Sequence, residues 1–465
     1  MRVLFLAYYF PPDSSSGSFR PLFFANHLTR MGVDVHVLTA KVEDYLCEQT
    51  VDEKLLSTLS KQVRVTRCGV QRPREAVIAF RDRLMRKRSS SRNGATNQVA
   101  GATSRQGASR LQKLKDTATD LLATPDPQVG WIPDCVRRGK EIIGKEKFDL
   151  IFATGGPWSG LVAAARLKKA SGLPLVLDFR DPWYSNPAAA GRAKICRRID
   201  LALEKYVMNS ADAIIANTEE LRADFLKRFP QLSGDQVVAI TNGFEDYLPA
   251  LARPSGRPLT LTHTGALYFS RNPLPLLQAA ADLITSGRIG KGDFRLQFVG
   301  GIQVDDSRVS DLLSSEALTG VVDVVARVPY AESLRYTQEA DALLLIQPDF
   351  PLQVPRKLFE YMAAQKPLFC IAERPSATGN LVEENGLGYV CGNEESEIGE
   401  SLSKLVADWH GGGLSSFASG RFDKFRNGCL TEKLMEIFSQ VIPGIPPNVA
   451  NAGVTEKVLH GRGGI

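Results

Sequence analysis

The chain opens on an apolar run, Val3 to Tyr9, long enough for one buried strand and far too short to cross a bilayer. A Ser- and Gly-rich stretch, Pro11 to Ser18, follows it. Apolar positions then recur at helical spacing, at Leu22, Phe24, Leu28 and Met31, up to Gly32, a natural helix stop. Val33 to Leu38 alternates and predicts a second strand. Strand, loop, helix and strand make a βαβ unit, which implies parallel neighbours in a doubly wound α/β sheet. The rhythm resumes with a strand at Phe148 to Ala153, a helix at Trp158 to Ser171 and a strand at Leu175 to Phe179. A helix at Ile199 to Ser210, a strand at Ala213 to Ala216, a helix at Glu219 to Phe229 and a strand at Val237 to Ile240 complete it.

Leu251 to Pro258 reads as a linker. A second α/β rhythm begins at Leu259 to Thr264. Its further strands are expected at Arg295 to Val299, Val321 to Val325, Ala342 to Ile346, Leu368 to Ile371 and Gly388 to Val390. The pattern predicts two α/β domains, 1–250 and 251–440, with a loose tail at 441–465.

Composition adds little to this: 43% hydrophobic and 23% charged residues are ordinary for a globular protein. The seven cysteines are scattered, none at CxxC spacing and none clustered with histidine, so no metal site is expected and reduced thiols in a cytoplasmic protein are. The first apolar run ends at Pro11-Pro12-Asp13 with no small-residue cleavage site, unlike a secretory signal.

Charge changes the picture more. The net charge is +6, yet residues 71–118 carry 12 Lys or Arg against three acids, leaving the remainder at −3. Basicity confined to one segment argues against a nucleic-acid partner. Within it, Ser89 to Arg110 has almost no core-forming residue and is expected to be disordered. Glu75 to Arg88 places Val77, Ile78, Phe80 and Leu84 opposite Arg81, Arg83, Arg86, Lys87 and Arg88. Such a segment either packs its apolar face on the domain or lies on an anionic membrane surface.

In a doubly wound sheet, ligands bind beyond the carboxyl ends of the strands. Gly17 leads into a helix N-terminus suited to an anion; no GxGxxG accompanies it, which argues against a dinucleotide fingerprint. Thr154 to Ser159 follows a second strand. Asp178-Phe179-Arg180-Asp181-Pro182-Trp183 follows a third, where Arg180 and Asp181 either orient a polyol and handle protons or form an ion pair beside a core Trp. In the second half His263, Thr264 and Gly265 end a strand, and Arg271 is expected at the start of the next helix. Pro355 should begin another helix, on which Lys357 and Glu360 share one face as a binding pair or a surface ion pair.

Taken in order, the segments YYFPPDSSSGSFRPLFFANHL, DFRDPW, LEKYVMNSADAIIANTEEL, ITNGF, HTGALYFSRNP and PRKLFEYMAAQKPLF resemble the retaining glycosyltransferases of glycosyltransferase family 4. The resemblance implies the GT-B fold, two Rossmann-like domains facing across a cleft. It also implies a nucleotide-sugar donor held by the second domain, a glycan or lipid-linked acceptor presented by the first, and neither cofactor nor metal. By position in the motifs, Gly17 and His263 to Gly265 correspond to loops at the donor diphosphate. Arg271 stands where the family has a phosphate-binding Lys, and Pro329 and Tyr330 where it meets the nucleobase. Lys357 and Leu358 fall inside the family's E-x7-E motif, and Glu360 is its second acid. Arg180 and Asp181 occupy the strand end where many relatives carry an active-site His. The implied role is a cytoplasmic transferase of cell-surface polysaccharide synthesis, at the inner face of the membrane, with Arg180, Asp181, Lys357 and Arg271 catalytic. Three positions depart from the motif: Leu352 replaces its first acid, Ala266 an Arg and Gln365 a Gly. They leave a non-catalytic glycan- or nucleotide-binding protein, or a nucleotide-sugar epimerase of the same fold, as alternatives.

Overall fold

The computed structural model describes residues 1–45, 51–71, 117–249, 251, 256–268, 270–417 and 422–444. The segments 75–88 and 89–110 singled out above, and the tail beyond 444, lie outside them.

A seven-stranded sheet in the order β3-β2-β1-β4-β5-β6-β7 organises the first half. Its strands are β1 Arg2–Leu6, β2 Asp34–Ala40, β3 Arg64–Cys68, β4 Leu150–Gly155, β5 Leu175–Phe179, β6 Ala213–Ala216 and β7 Val237–Ala239. The helices are α1 Ser16–Arg30, α2 Ile132–Lys145, α3 Ser159–Ser171, α4 Lys194–Ser210 and α5 Glu219–Arg228. β1 pairs with β2 and β4, both parallel, which buries it on both faces and explains its unbroken apolar run. Phe5 stacks on Phe152 at 4.6 Å, and Phe24 of α1 meets the same ring at 6.0 Å. Met31, expected on the buried face of α1, ends the helix 38% exposed.

The second sheet has six strands in the order β12-β10-β8-β13-β14-β15. They are β8 Leu259–Thr264, β10 Phe294–Val299, β12 Val322–Val325, β13 Ala342–Ile346, β14 Leu368–Ile371 and β15 Gly388–Cys391. A separate two-stranded ladder joins β9 Leu267–Tyr268 to β11 Ile302–Gln303. The helices are α6 Leu274–Thr285, α7 Ser307–Leu313, α8 Tyr330–Glu339, α9 Arg356–Ala364, α10 Ala377–Glu384, α11 Glu395–His410 and α12 Asn427–Val441. Side chains alternate across β13, as a strand requires: Leu344 and Ile346 join the core under α6 and α11, and Leu343 and Leu345 the core under α9. Each such fully buried side chain contributes about 1.5–3 kcal/mol.

The chain forms two compact units: Met1–Ile215 with Gly234–Val238 and Leu434–Ile465, and Ala216–Ser233 with Ala239–Lys433. Helix α5 thus goes with the second sheet. Thr218 caps it by accepting the Leu221 N–H at 3.0 Å and donates its own hydroxyl to the Leu352 carbonyl at 2.8 Å. In the first unit, Phe438 packs on Phe152 at 5.3 Å.

Candidate active site

In the first unit the residues of interest cluster where β1, β4 and β5 end. Asp13 is buried and accepts the hydroxyls of Ser15 and Ser18, which shapes the turn into α1 and sets an anion at that helix's positive end. Gly17 lies in the first turn of α1. A Cβ there would stand 2.9 Å from the Tyr9 ring and 3.2 Å from the Arg180 guanidinium, so close packing inside the unit itself requires glycine.

Arg180 donates from Nε to the Gly155 carbonyl at 2.8 Å, and from Nη1 and Nη2 to the carbonyls of Gly17 and Gly156. One guanidinium therefore ties together the loops after β1, β4 and β5. Burial lowers its pKa, while the neighbouring Asp181 and Asp178 carboxylates pull the other way. Behind it, Arg20 of α1 grips Asp178 through two hydrogen bonds of 3.0 and 2.8 Å, with side chains only 6% and 0% exposed. The Thr154 hydroxyl adds a third at 2.7 Å. The Trp183 ring is buried and stacks on Trp158 at 5.7 Å.

The sequence reading missed Asp126. Its carboxylate accepts the Ser159 N–H at 2.8 Å, the Ser159 hydroxyl at 2.6 Å and the Gln128 N–H at 3.0 Å, and so fixes the start of α3 and the loop before it. Burial pushes its pKa up to about 6 against those hydrogen bonds. A lone Asp in TPDPQ carries no local pattern that points to this.

In the second unit the site grows from β8. Gly265 sits at φ +123° and Gly300, after β10, at φ +124°, conformations that favour glycine. A Cβ on Gly300 would come within 2.6 Å of the Gly265 carbonyl carbon, so the two loops touch backbone to backbone. The Thr264 N–H donates to the Tyr361 hydroxyl at 3.0 Å. Lys357, in the first turn of α9, donates to the Thr264 hydroxyl at 3.3 Å and pairs with Glu360 at 3.0 Å. Arg356 pairs with the other Glu360 oxygen at 2.7 Å, and the Tyr330 hydroxyl donates to it at 3.2 Å. Burial alone would raise the Glu360 pKa; the two cations and the Tyr330 hydrogen bond reverse this and hold it below the usual carboxylate range. The helix spacing expected for Lys357 and Glu360 is there, with the carboxylate almost wholly buried.

His263 is buried and donates Nδ1–H to the Leu344 carbonyl at 3.0 Å. Burial, with the charges of Lys357 and Arg271, pushes its pKa down to about 4, so it is neutral at pH 7. Arg271 stands three residues ahead of α6, in a turn closed by its N–H on the Tyr268 carbonyl at 3.2 Å, and not at the helix start. Its guanidinium lies over the Tyr268 ring at 5.1 Å and donates to Gln347 at 3.0 Å. Pro329 caps α8, and Tyr330 begins that helix 43% exposed. Leu358 is fully buried in the core beneath α9, so its side chain serves packing. Asp349, just after β13, adopts φ +65°, its N–H held by the Glu373 carboxylate at 2.6 Å.

Arg356 and Lys357 thus share a single carboxylate, Glu360, at the carboxyl end of the second sheet, while Arg271 rests on the neutral Gln347 and Tyr268. That leaves a positive excess beside two glycine loops, an arrangement able to hold a dianion.

Residues 23–243 match the model of a glycosyl transferase 4-like domain. A comparison with curated proteins finds no match. Among solved structures, a glycosyltransferase from Rickettsia africae is 13% identical with a TM-score of 0.60, over 95% of this chain and 99% of that one. Sucrose-phosphate synthase from Thermosynechococcus elongatus is 14% identical with a TM-score of 0.60, over 95% and 98%. HepE from Anabaena, in complex with UDP, is 15% identical with a TM-score of 0.60, over 95% and 100%. The chain has the GT-B fold of these proteins, and the domain match and the fold together support a transferase.

Proposed function

We propose that this protein is a retaining glycosyltransferase that moves a hexosyl group from a nucleotide-sugar to a glycan or lipid-linked acceptor in cell-surface polysaccharide synthesis. The observation that carries the reading is the apposed Gly265 and Gly300 loops flanked by Lys357 and Arg271. The complex of HepE with UDP supports a nucleotide as the ligand of this fold.

In this reading the diphosphate lies beside the glycine loops, next to the Lys357 side chain that reaches Gly265. Lys357 and Arg271 neutralise the negative charge that grows on the leaving diphosphate, which is electrostatic catalysis at the site of charge development. Glu360 fixes the Lys357 ammonium and accepts from the donor ribose. His263 stays neutral and keeps a further cation, and its hydration, out of the site. A front-face displacement in which the leaving phosphate takes the acceptor proton needs no protein base, so Leu352 in place of an acid is compatible with turnover. Asp181 and the loops gathered by Arg180 form the acceptor side. The membrane contact expected of residues 75–88 belongs to this reading too, in a cytoplasmic enzyme, but that segment lies outside the described residues.

The test is a thermal-shift panel of UDP, GDP, ADP and their sugars, followed by nucleotide release in the presence of acceptor glycans and lipid-linked sugars. One nucleotide is expected to stabilise the fold by about 2.7 kcal/mol at 100 times its dissociation constant. Stabilisation by none of them overturns the reading. Stabilisation without release from any donor, with or without acceptor, makes the protein a binder and not an enzyme.

A further inference from the structure

Helices α2, α3 and α4 follow β3, β4 and β5, and the sheet order makes all three crossovers run in one direction. Right-handed crossovers in one direction put their helices on one face of the sheet, and α2 packs on α3 and α3 on α4. The outer surface of this layer is strongly one-sided in charge. α4 exposes Lys194, Arg198 and Lys205, α3 exposes Arg166 and Lys169, and α2 exposes four cations beside the acid Glu141. Glu141 is already paired with Arg137 at 2.6 Å. The acids of α4 point inward: Asp200 binds Arg192 at 2.5 Å and Glu204 accepts the Tyr184 N–H at 3.3 Å. This excess stands within the part of the chain that is net negative.

The same face of α4 leaves large apolar side chains in water: Ile195 is 45% exposed, Leu201 39% and Tyr206 37%. Ile195, Arg198, Leu201 and Lys205 recur every three to four residues on one side of the helix, with Tyr206 beside Lys205. Single exposed aliphatic residues are ordinary, but here three large apolar side chains share a helix with exposed cations and no exposed acid, and a polyanion such as nucleic acid offers nothing to Ile195 or Leu201. A bilayer of anionic lipid satisfies both: headgroup phosphates meet the cations while the aliphatic side chains enter the acyl boundary.

We infer that the outer face of α2, α3 and α4, centred on Ile195, Arg198, Leu201, Lys205 and Tyr206, docks on an anionic membrane surface. The inference does not depend on glycosyl transfer, since docking is measured without donor or acceptor, and it concerns a surface other than residues 75–88.

The experiment is co-sedimentation of the full chain with vesicles of phosphatidylcholine mixed with phosphatidylglycerol, and with phosphatidylcholine alone, at low and high salt. Three variants are compared at matched melting temperature: Ile195→Asp with Leu201→Asp, Arg198→Glu with Lys205→Glu, and Ala at Arg81, Arg83, Arg86, Lys87 and Arg88. The wild type is expected to bind the anionic vesicles and to release them at high salt. The charge-reversed variant should bind at least about 25-fold more weakly, roughly fivefold for each cation removed. The apolar variant should lose about tenfold or more. Equal binding to neutral vesicles overturns the inference. So does wild-type binding by both α4 variants while the 81–88 variant fails to bind. Loss only in the charge variant, with the apolar variant unchanged, identifies a polyanion site and also overturns it.

Discussion

In the first unit the buried cations are fully occupied within the fold: Arg20 by Asp178, and Arg180 by three backbone carbonyls. In the second unit Arg271 rests on the neutral partners Gln347 and Tyr268, and Lys357 shares one carboxylate with Arg356. Both clusters sit at the carboxyl ends of a parallel sheet, where this architecture places ligands. The difference supports different roles. Charge matched inside the fold holds loops in place; charge left in excess is what the proposed anion site requires.

The sharpest way to break this comparison is to remove one cation from each side. Arg20→Ala leaves Asp178 buried without its ion pair, with the Thr154 hydroxyl and the more distant charge of Arg180, so the urea midpoint should fall by an amount equivalent to about 3–5 kcal/mol. A loss below about 1 kcal/mol contradicts a structural role for the pair.

The second effect belongs to His263 and is read in pH. Its pKa falls from 6.5 in the unfolded chain to about 4 in the fold, so protonation favours unfolding. Its contribution is complete above pH 6.5 and is lost as the pH falls toward 4, by about 3 kcal/mol in all. Melting curves of wild type and His263→Phe should therefore separate above pH 6.5 and converge toward pH 4. Parallel curves would show that His263 is not kept neutral by its burial.

The smallest effect on stability, and the one on binding, comes from Lys357→Ala and Arg271→Ala. Glu360 keeps Arg356 and Tyr330, so the fold should change by less than about 1 kcal/mol. Affinity for the nucleoside diphosphate should drop tenfold or more, since a charge-assisted contact contributes about 1.5–3 kcal/mol. Titration calorimetry with the nucleotide that stabilises the wild type decides it. Unchanged affinity in both variants would place the anion elsewhere.

How much of this was legible follows from the range of each interaction along the chain. The central strands were, because a strand buried on both faces is a contiguous apolar run. β3 was not: RVTRC mixes two arginines and a threonine with only two apolar residues and shows no clean alternation, and at this sheet edge its residues are mostly half-buried. Lys357 and Glu360 were paired correctly because their contact is fixed by helix geometry. Arg20 and Asp178 are 158 residues apart, and no local pattern joins them. Arg180 was singled out for chemistry, but its three carbonyl partners come from backbone that any residue supplies. The fold came through periodicity, whereas the grouping of His263, Arg271 and Lys357 came through resemblance. Gly300 was overlooked, although a Gly-Gly pair closing a strand is a turn signal in its own right.

The ladder between β9 and β11 has a consequence for anyone who redesigns this protein. Leu267 is bonded to Gly301 across it at 3.1 Å, and Gly300 lies against the backbone of Gly265. The two loops are therefore one editable part. A change of loop length in 266–268 alone shifts the register of this backbone ladder, and a side chain at Gly300 meets the backbone of Gly265. Loop grafting here has to carry both segments together, as a single cassette taken from one parent.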